Sequence, residues 1–178
     1  RYIWEQAAAK LGEWKKAGIN MSISVNISPK DFYYIDIFNT FAGLIKKYDI
    51  EPSNLKIEIT ETTIMSDVPN LMGELEELRK AGFTLEMDDF GSGYSSLNTL
   101  KDINVDVLKV DMGFIKETKN VKKSRIILAS VIKMAKELNL LIITEGVETE
   151  EQVDNLTKLG CDVFQGDYFS KAIDVNEF

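Results

Sequence analysis

Apolar residues recur at helical spacing from the first residues of the chain. Ile3, Trp4, Ala7, Ala8, Leu11 and Trp14 fall on one 3.6-residue face, which predicts a helix that begins at Arg1. Beyond Gly18 the period drops to two. Met21, Ile23, Val25 and Ile27 alternate with Ser22, Ser24 and Asn26, the signature of a strand. A helix is predicted over about 31–48, and the alternation of strand and helix then repeats. Strands are read at 55–60, 83–88, 105–110, 140–145 and 161–165. Helices are read at 69–80, briefly after Tyr94, at about 122–138, and after Thr149, where Thr149-Glu150-Glu151-Gln152 has the spacing of a capping box. No Pro-, Gly- or Ser-rich linker divides the series.

Strands that alternate with helices imply parallel pairing through helical crossovers, in a doubly wound sheet or a barrel. The strand faces choose between them. In Leu55-Lys56-Ile57-Glu58-Ile59 and Phe83-Thr84-Leu85-Glu86-Met87-Asp88 one face is apolar and the other polar. A sheet covered by helices on both faces reads instead as continuous apolar runs. The predicted fold class is therefore α/β, a TIM-type (β/α) barrel with about six strand-helix units. A full barrel takes about 250 residues, so the 178 here are read as a single domain fragment over 1–178 whose first strands and last helix are missing. Six strands in an open barrel leave two edges, and the expectation is a fragment that aggregates or associates to cover them.

Composition narrows the chemistry. With 21 Lys and Arg against 29 Asp and Glu the net charge is −8, so the domain is poorly suited to polymeric nucleic acid, where affinity rests on clustered basic residues. There is no histidine, which removes Ser-His-Asp and Cys-His catalysis and His-ligated zinc. The one cysteine, Cys161, excludes an internal disulfide, suits a reducing, cytoplasmic compartment and reads as core packing. No apolar run approaches the ~20 residues of a membrane span.

Candidate chemistry lies at the strand ends: Asn26, Glu58, Asp88 with Asp89, Lys109, Glu145 and Gln165 each close a different strand. In barrels that end carries the active site. Several carboxylates in one mouth repel each other unless a cation sits among them. Oxygen donors without histidine favour Mg²⁺ or Mn²⁺, and the adjacent Asp88 and Asp89 suit two ions. Two such ions activate water and clamp an in-line displacement at phosphorus, which makes phosphodiester hydrolysis the leading reaction class. Glu61 and Glu148 each follow a strand-end Glu by three residues and are read as bonding loop amides and orienting their neighbours. Glu86 is read evenly as a solvated or ion-paired inward residue or as a functional one.

Other motifs lack their context. Asp88-Asp89-Phe90-Gly91 resembles the metal-binding tripeptide of protein kinases, yet no Gly-rich loop with its strand Lys and no His-Arg-Asp loop accompanies it. Gly91-Ser92-Gly93-Tyr94 lies between a strand and a helix, but the third glycine of a dinucleotide fingerprint is absent.

Taken in order, Ser24-Val25-Asn26-Ile27-Ser28, Glu58-Ile59-Thr60-Glu61, Asp88-Asp89-Phe90-Gly91-Ser92-Gly93-Tyr94-Ser95-Ser96, Leu108-Lys109-Val110-Asp111, Thr144-Glu145-Gly146-Val147-Glu148-Thr149 and Gln165-Gly166 resemble the EAL-domain phosphodiesterases, which hydrolyse cyclic di-GMP to linear pGpG in bacterial signalling. The resemblance implies that Asn26, Glu58 and Asp88 ligate one Mg²⁺ or Mn²⁺, and that Asp88 bridges to a second ion held by Asp89. Glu145 would ligate or act as general base, and Lys109 would hold the attacking water and stabilise phosphoryl charge. Gln165 and Asp111 would meet substrate. Glu61 would hold the loop from Phe90 to Leu97, with Gly91, Ser92, Gly93 and Glu148 as supporting positions. The family also implies a homodimer and fusion to sensor or GGDEF domains in a longer parent, which could be tethered to a membrane. Its Glu-Ala-Leu motif, with a further ligand, is expected before Arg1, while Asp167 and Ala172 depart from the usual aromatic and proline. The alternative is a catalytically inactive EAL-like domain that acts as a cyclic di-GMP receptor or protein-interaction module.

Overall fold

The structure, a computed structural model, describes residues 1–66, 68–91, 100–111, 113, 121–161 and 163–175. It divides into two units. One is built on residues 1–88 and the segment that ends at Asp106; the other on the residues from Val107 onward together with Asp89, Phe90 and Gly91.

The first unit runs α1 (Tyr2–Lys16), β1 (Ile23–Asn26), α2 (Pro29–Tyr34), α3 (Ile37–Tyr48), a 3₁₀ turn (Pro52–Asn54), β2 (Leu55–Thr60), α4 (Glu61–Ile64), α5 (Leu71–Lys80) and β3 (Leu85–Asp88). The three strands pair in parallel, with Asn26 opposite Glu58, Glu58 opposite Glu86 and Thr60 opposite Asp88. Val25, Leu55, Ile57, Ile59, Leu85 and Met87 share the apolar face and are buried. Ser24, Asn26, Lys56, Glu58, Thr60, Glu86 and Asp88 alternate onto the other face, as the period of two requires.

Two features of this unit differ from the sequence reading. The helix expected over 31–48 is two helices. Ser28 and Asp31 form a capping box around Pro29 and start α2 early, Ile35 is extended, and Asp36 restarts the chain as α3 by accepting the N–H of Asn39 at 3.0 Å. On α1 the buried face is Trp4, Ala7, Ala8, Leu11 and Gly12, while Ile3 in the first turn is exposed. α1 packs on α3, β1 and β2. The rings of Trp4 and Phe41 lie 5.1 Å apart, and Phe41 meets Phe83 edge-on at 5.8 Å. A side chain at Gly12 would place its Cβ 2.8 Å from the Tyr48 carbonyl oxygen, so the approach of α1 to α3 depends on that glycine. Asp106 pins the start of β3: its carboxylate accepts the Leu85 N–H at 3.0 Å and Arg79 Nε at 3.1 Å.

The second unit contains β4 (Val107–Asp111), α6 (Val121–Glu137), β5 (Leu141–Glu145), α7 (Glu150–Leu159) and β6 (Val163–Phe164). Its strands also pair in parallel, with Lys109 opposite Ile143, Asp111 opposite Glu145 and Thr144 opposite Phe164. α6 buries Leu128, Ile132 and Ala135. The capping box of α7 forms as expected: Thr149 Oγ1 accepts the Gln152 N–H at 3.3 Å and Gln152 Oε1 accepts the Thr149 N–H at 3.0 Å. Cys161 is buried, as core packing demands. The last strand stops one residue before the expected 165, where the carbonyl of Gln165 accepts the Val147 N–H at 3.1 Å. The short helix expected after Tyr94 falls outside the described residues.

Candidate functional site

Parallel pairing sets the carboxyl ends of neighbouring strands side by side, and in each unit the polar face is richest there. In the first unit Asn26 closes β1, and its Nδ2 donates to Glu58 Oε2 at 3.0 Å. Glu58 is 8% exposed. An amide that uses Nδ2 in this way keeps Oδ1 as its ligating atom. Asp88, half-buried, ends β3 on the same face, two residues beyond Glu86. Glu86 lies opposite Glu58 in the ladder, where two carboxylates repel. Lys56 offsets this, with Nζ 3.1 Å from Glu86 Oε1 although off hydrogen-bond alignment. Glu86 is thus ion-paired and almost wholly buried rather than solvated. Three carboxylates against one ammonium leave this face with a negative excess.

In the second unit Lys109 is drawn to the end of β5, with Nζ 2.8 Å from Glu145 Oε1. The side chains are only 6% and 18% exposed, so the two charges largely neutralise each other away from bulk water. Asp111 is exposed and accepts the Gly113 N–H at 2.7 Å, so its carboxylate closes its own turn. Gln165 is exposed, yet its backbone is held on both sides. Its N–H donates to Thr144 at 2.8 Å and its carbonyl accepts from Val147. Gly166 follows because a Cβ there would lie 2.1 Å from the Val147 carbonyl oxygen.

Asp89 is exposed, with φ 56°, a left-handed backbone that turns its carboxylate out of the alternation of β3. Glu61 is buried at the first position of α4, just past β2. Glu148 is exposed, and its N–H donates to Gln152 Oε1 at 2.7 Å. Gly91 is described, with φ 98°. Ser92 and Gly93 lie outside the described residues, as does the Phe90–Leu97 loop beyond Gly91. The structure adds one residue that periodicity had given only to the apolar face of α1: Trp4 Nε1 donates to the Asn26 carbonyl at 3.0 Å. The indole N–H of a buried tryptophan was the available signal, since such a group needs a partner.

The donor set suits a hard divalent ion. Asn26, Glu58 and Asp88 offer oxygen from consecutive strands on one face with a negative excess. Among the described residues no three of His, Cys, Asp and Glu are grouped to hold a metal, so a set of three on this face includes the amide of Asn26. Among them, too, no helix is long and apolar enough to cross a membrane.

The EAL-domain family model matches residues 1–172. The chain is 34% identical, over all of its length, to the signaling protein YkoW of Bacillus subtilis, and 36% identical over 93% of its length to the bifunctional diguanylate cyclase/cyclic di-GMP phosphodiesterase MucR of Pseudomonas aeruginosa. It spans only 22% and 24% of those two proteins. Among solved structures, the cyclic di-GMP complex of the PaMucR phosphodiesterase matches 99% of the chain with a TM-score of 0.89 at 33% identity, and the chain covers 72% of it. The EAL domain of Mycobacterium smegmatis DcpA matches 99% with a TM-score of 0.90 at 32% identity, 80% of that chain being covered. The manganese and cyclic di-GMP complex of Klebsiella pneumoniae BlrP1 matches 94% with a TM-score of 0.82 at 28% identity, 43% of that chain being covered. The fold class is accordingly the TIM-type β/α architecture that the strand faces favoured. From its first residues to Ala172, the chain belongs to the EAL-domain family.

Proposed function

We propose that this domain hydrolyses cyclic di-GMP to linear pGpG, dependent on Mg²⁺ or Mn²⁺, in the cytoplasm and as part of a longer signalling protein. The observation that carries the reading is the Lys109–Glu145 pair, a 2.8 Å contact between largely buried charges on adjacent parallel strands; Glu145 ends β5, whereas Lys109 lies two residues before the end of β4 rather than closing it, because the strand runs on to Asp111. A structural ion pair gains little from such burial, since desolvation offsets the attraction. A hydrolase gains a cation held in place for charge that develops on phosphoryl oxygens. Relatives whose names carry cyclic di-GMP phosphodiesterase activity, and a neighbour solved with manganese and cyclic di-GMP, support the same reading.

In this reading Asn26, Glu58 and Asp88 would hold one ion, and Asp89 or Glu145 would serve a second. The ions, when bound, lower the pKa of water and neutralise the phosphodiester. Lys109 donates to the attacking water and to the phosphoryl oxygen that gains charge. Glu145 accepts the proton that water loses as its oxygen bonds to phosphorus. The P–O3′ bond breaks, the 3′ oxygen is protonated, and one water is consumed for each pGpG. Gln165 and Asp111 bond the nucleotide or its waters. Glu61, Glu148 and the Gly91-Ser92-Gly93 loop keep these groups in register, and pairing of two EAL domains is the expected assembly.

The test is pGpG formation, resolved by chromatography, by this chain and by its longer parent with Mn²⁺ or Mg²⁺ and with chelator. Lys109→Ala and Glu145→Ala in the active form should each lower kcat by about 10²–10³. Variants that turn over as fast as the parent would remove both residues from the mechanism. Tight cyclic di-GMP binding with no pGpG from the parent would replace the hydrolase with a receptor.

A further inference from the structure

Asn26 is exposed at the last position of β1, where little packing holds its side chain. Its amide touches Glu58, and its backbone is fixed from the other side. Ile27 gives its N–H to the Glu58 carbonyl at 2.9 Å, so the carbonyl of Asn26, one residue earlier in a backbone of period two, points away from β2. Trp4 takes that carbonyl with Nε1 at 3.0 Å. The indole is 3% exposed and tilted at 48° against Phe41, itself fully buried. A rigid core ring therefore fixes the peptide plane that follows Asn26, and with it the direction of the Asn26 side chain. Leucine or phenylalanine would fill the same space and leave the carbonyl to water.

We propose that Trp4 is a positioning residue for Asn26: its indole N–H aims the Asn26 amide at Glu58 and at the cation the two would share. The cation part rests on the ligand role given to Asn26 under Proposed function; the hold on Asn26 does not. Groups that orient a metal ligand are worth about 10–100-fold in metal affinity.

Nuclear magnetic resonance on the isotope-labelled, metal-free chain tests the hold. A through-hydrogen-bond coupling should connect Trp4 Nε1 with the Asn26 carbonyl carbon in the unaltered protein. Trp4→Phe should shift the Asn26 side-chain amide signals and speed their exchange with solvent. Phe41→Leu, which loosens the core but keeps the indole, should lower Tm and leave those signals in place. No coupling, or Asn26 signals indifferent to Trp4→Phe, overturns the proposal. Mn²⁺ affinity, followed by the paramagnetic resonance of free Mn²⁺, should weaken about tenfold in Trp4→Phe. Unchanged affinity there, with Mn²⁺ bound by the unaltered chain, overturns the cation part. If the unaltered chain binds no Mn²⁺ while the coupling and the amide shifts are found, the positioning of Asn26 is supported and the ligand role proposed for it falls.

Discussion

Removing one member of the Lys109–Glu145 pair should cost far more than removing both. At an effective dielectric of about 20, unit charges 2.8 Å apart attract by roughly 6 kcal/mol. Burying each ion takes back several kcal/mol, so the intact pair contributes little net stability. A buried charge that loses such a counter-charge keeps the penalty and gives up that attraction, at about 3–5 kcal/mol. The two partners are not equally buried. Glu145→Gln takes this counter-charge from the Lys109 ammonium, 6% exposed, and should sit in that range, whereas Lys109→Met takes it from a carboxylate that is 18% exposed and should cost nearer 2 kcal/mol. With a urea m-value of about 2 kcal/mol/M the midpoint should fall by roughly 1.5–2.5 M for Glu145→Gln and by about 1 M for Lys109→Met. The double variant Lys109→Met/Glu145→Gln should return to within about 1 kcal/mol of the parent, because the charge and its counter-charge leave together. The assay is equilibrium urea unfolding read by circular dichroism on all four proteins. Additive losses would show that the pair is not energetically coupled. A larger loss for Lys109→Met than for Glu145→Gln would refute the argument from depth of burial.

Two further outcomes follow from packing and charge. Gly12→Ala should lower Tm even though alanine favours helix by ~1 kcal/mol over glycine, because its Cβ would sit 2.8 Å from the Tyr48 carbonyl oxygen and overpacking costs about 1–3 kcal/mol; a raised Tm would show that α1 moves aside freely. Burial, then the nearby Asp36 and Glu77 charges, push the Glu74 carboxyl above its ordinary value. The folded state therefore holds that proton more tightly than the unfolded chain. The stability it contributes is present below the unfolded value and is lost as pH rises through the folded one. Glu74→Gln should consequently gain Tm over the parent, by about 1–3 °C, near pH 7.5, and lose that gain near pH 4. Thermal scans at the two pH values check this, and a gain confined to acid would reverse the sign and refute it.

The ends of β2, β3 and β5, the parallel order within each unit and the capping box of α7 could be read along the chain because they depend on residues one to four positions apart. An alternation such as Leu55-Lys56-Ile57-Glu58-Ile59 assigns faces without knowledge of the partner strand, and Thr149 with Gln152 caps α7 through its own first turn. The order of Asn26, Glu58, Asp88, Lys109, Glu145 and Gln165 was legible for the same reason, and with it the family. The split of α2 from α3 was harder to read, because the restart at Asp36 interrupts an apolar period that otherwise runs on.

Which atoms meet was a different matter. The donation of Trp4 to Asn26 joins residues 22 apart, and Lys56 reaches Glu86 only across a strand ladder. Asp106 holds the start of β3 from 21 residues away. Hydrophobic period assigns a side chain to a face, but it is blind to the hydrogen-bond and charge partners supplied by distant segments. Local residue order was therefore enough for most of the elements, their faces and the family. Chain crossing and strand register decided which indole, ammonium and carboxylate oxygens stand within 3 Å or so of each other, because those distances follow from packing of the whole fold.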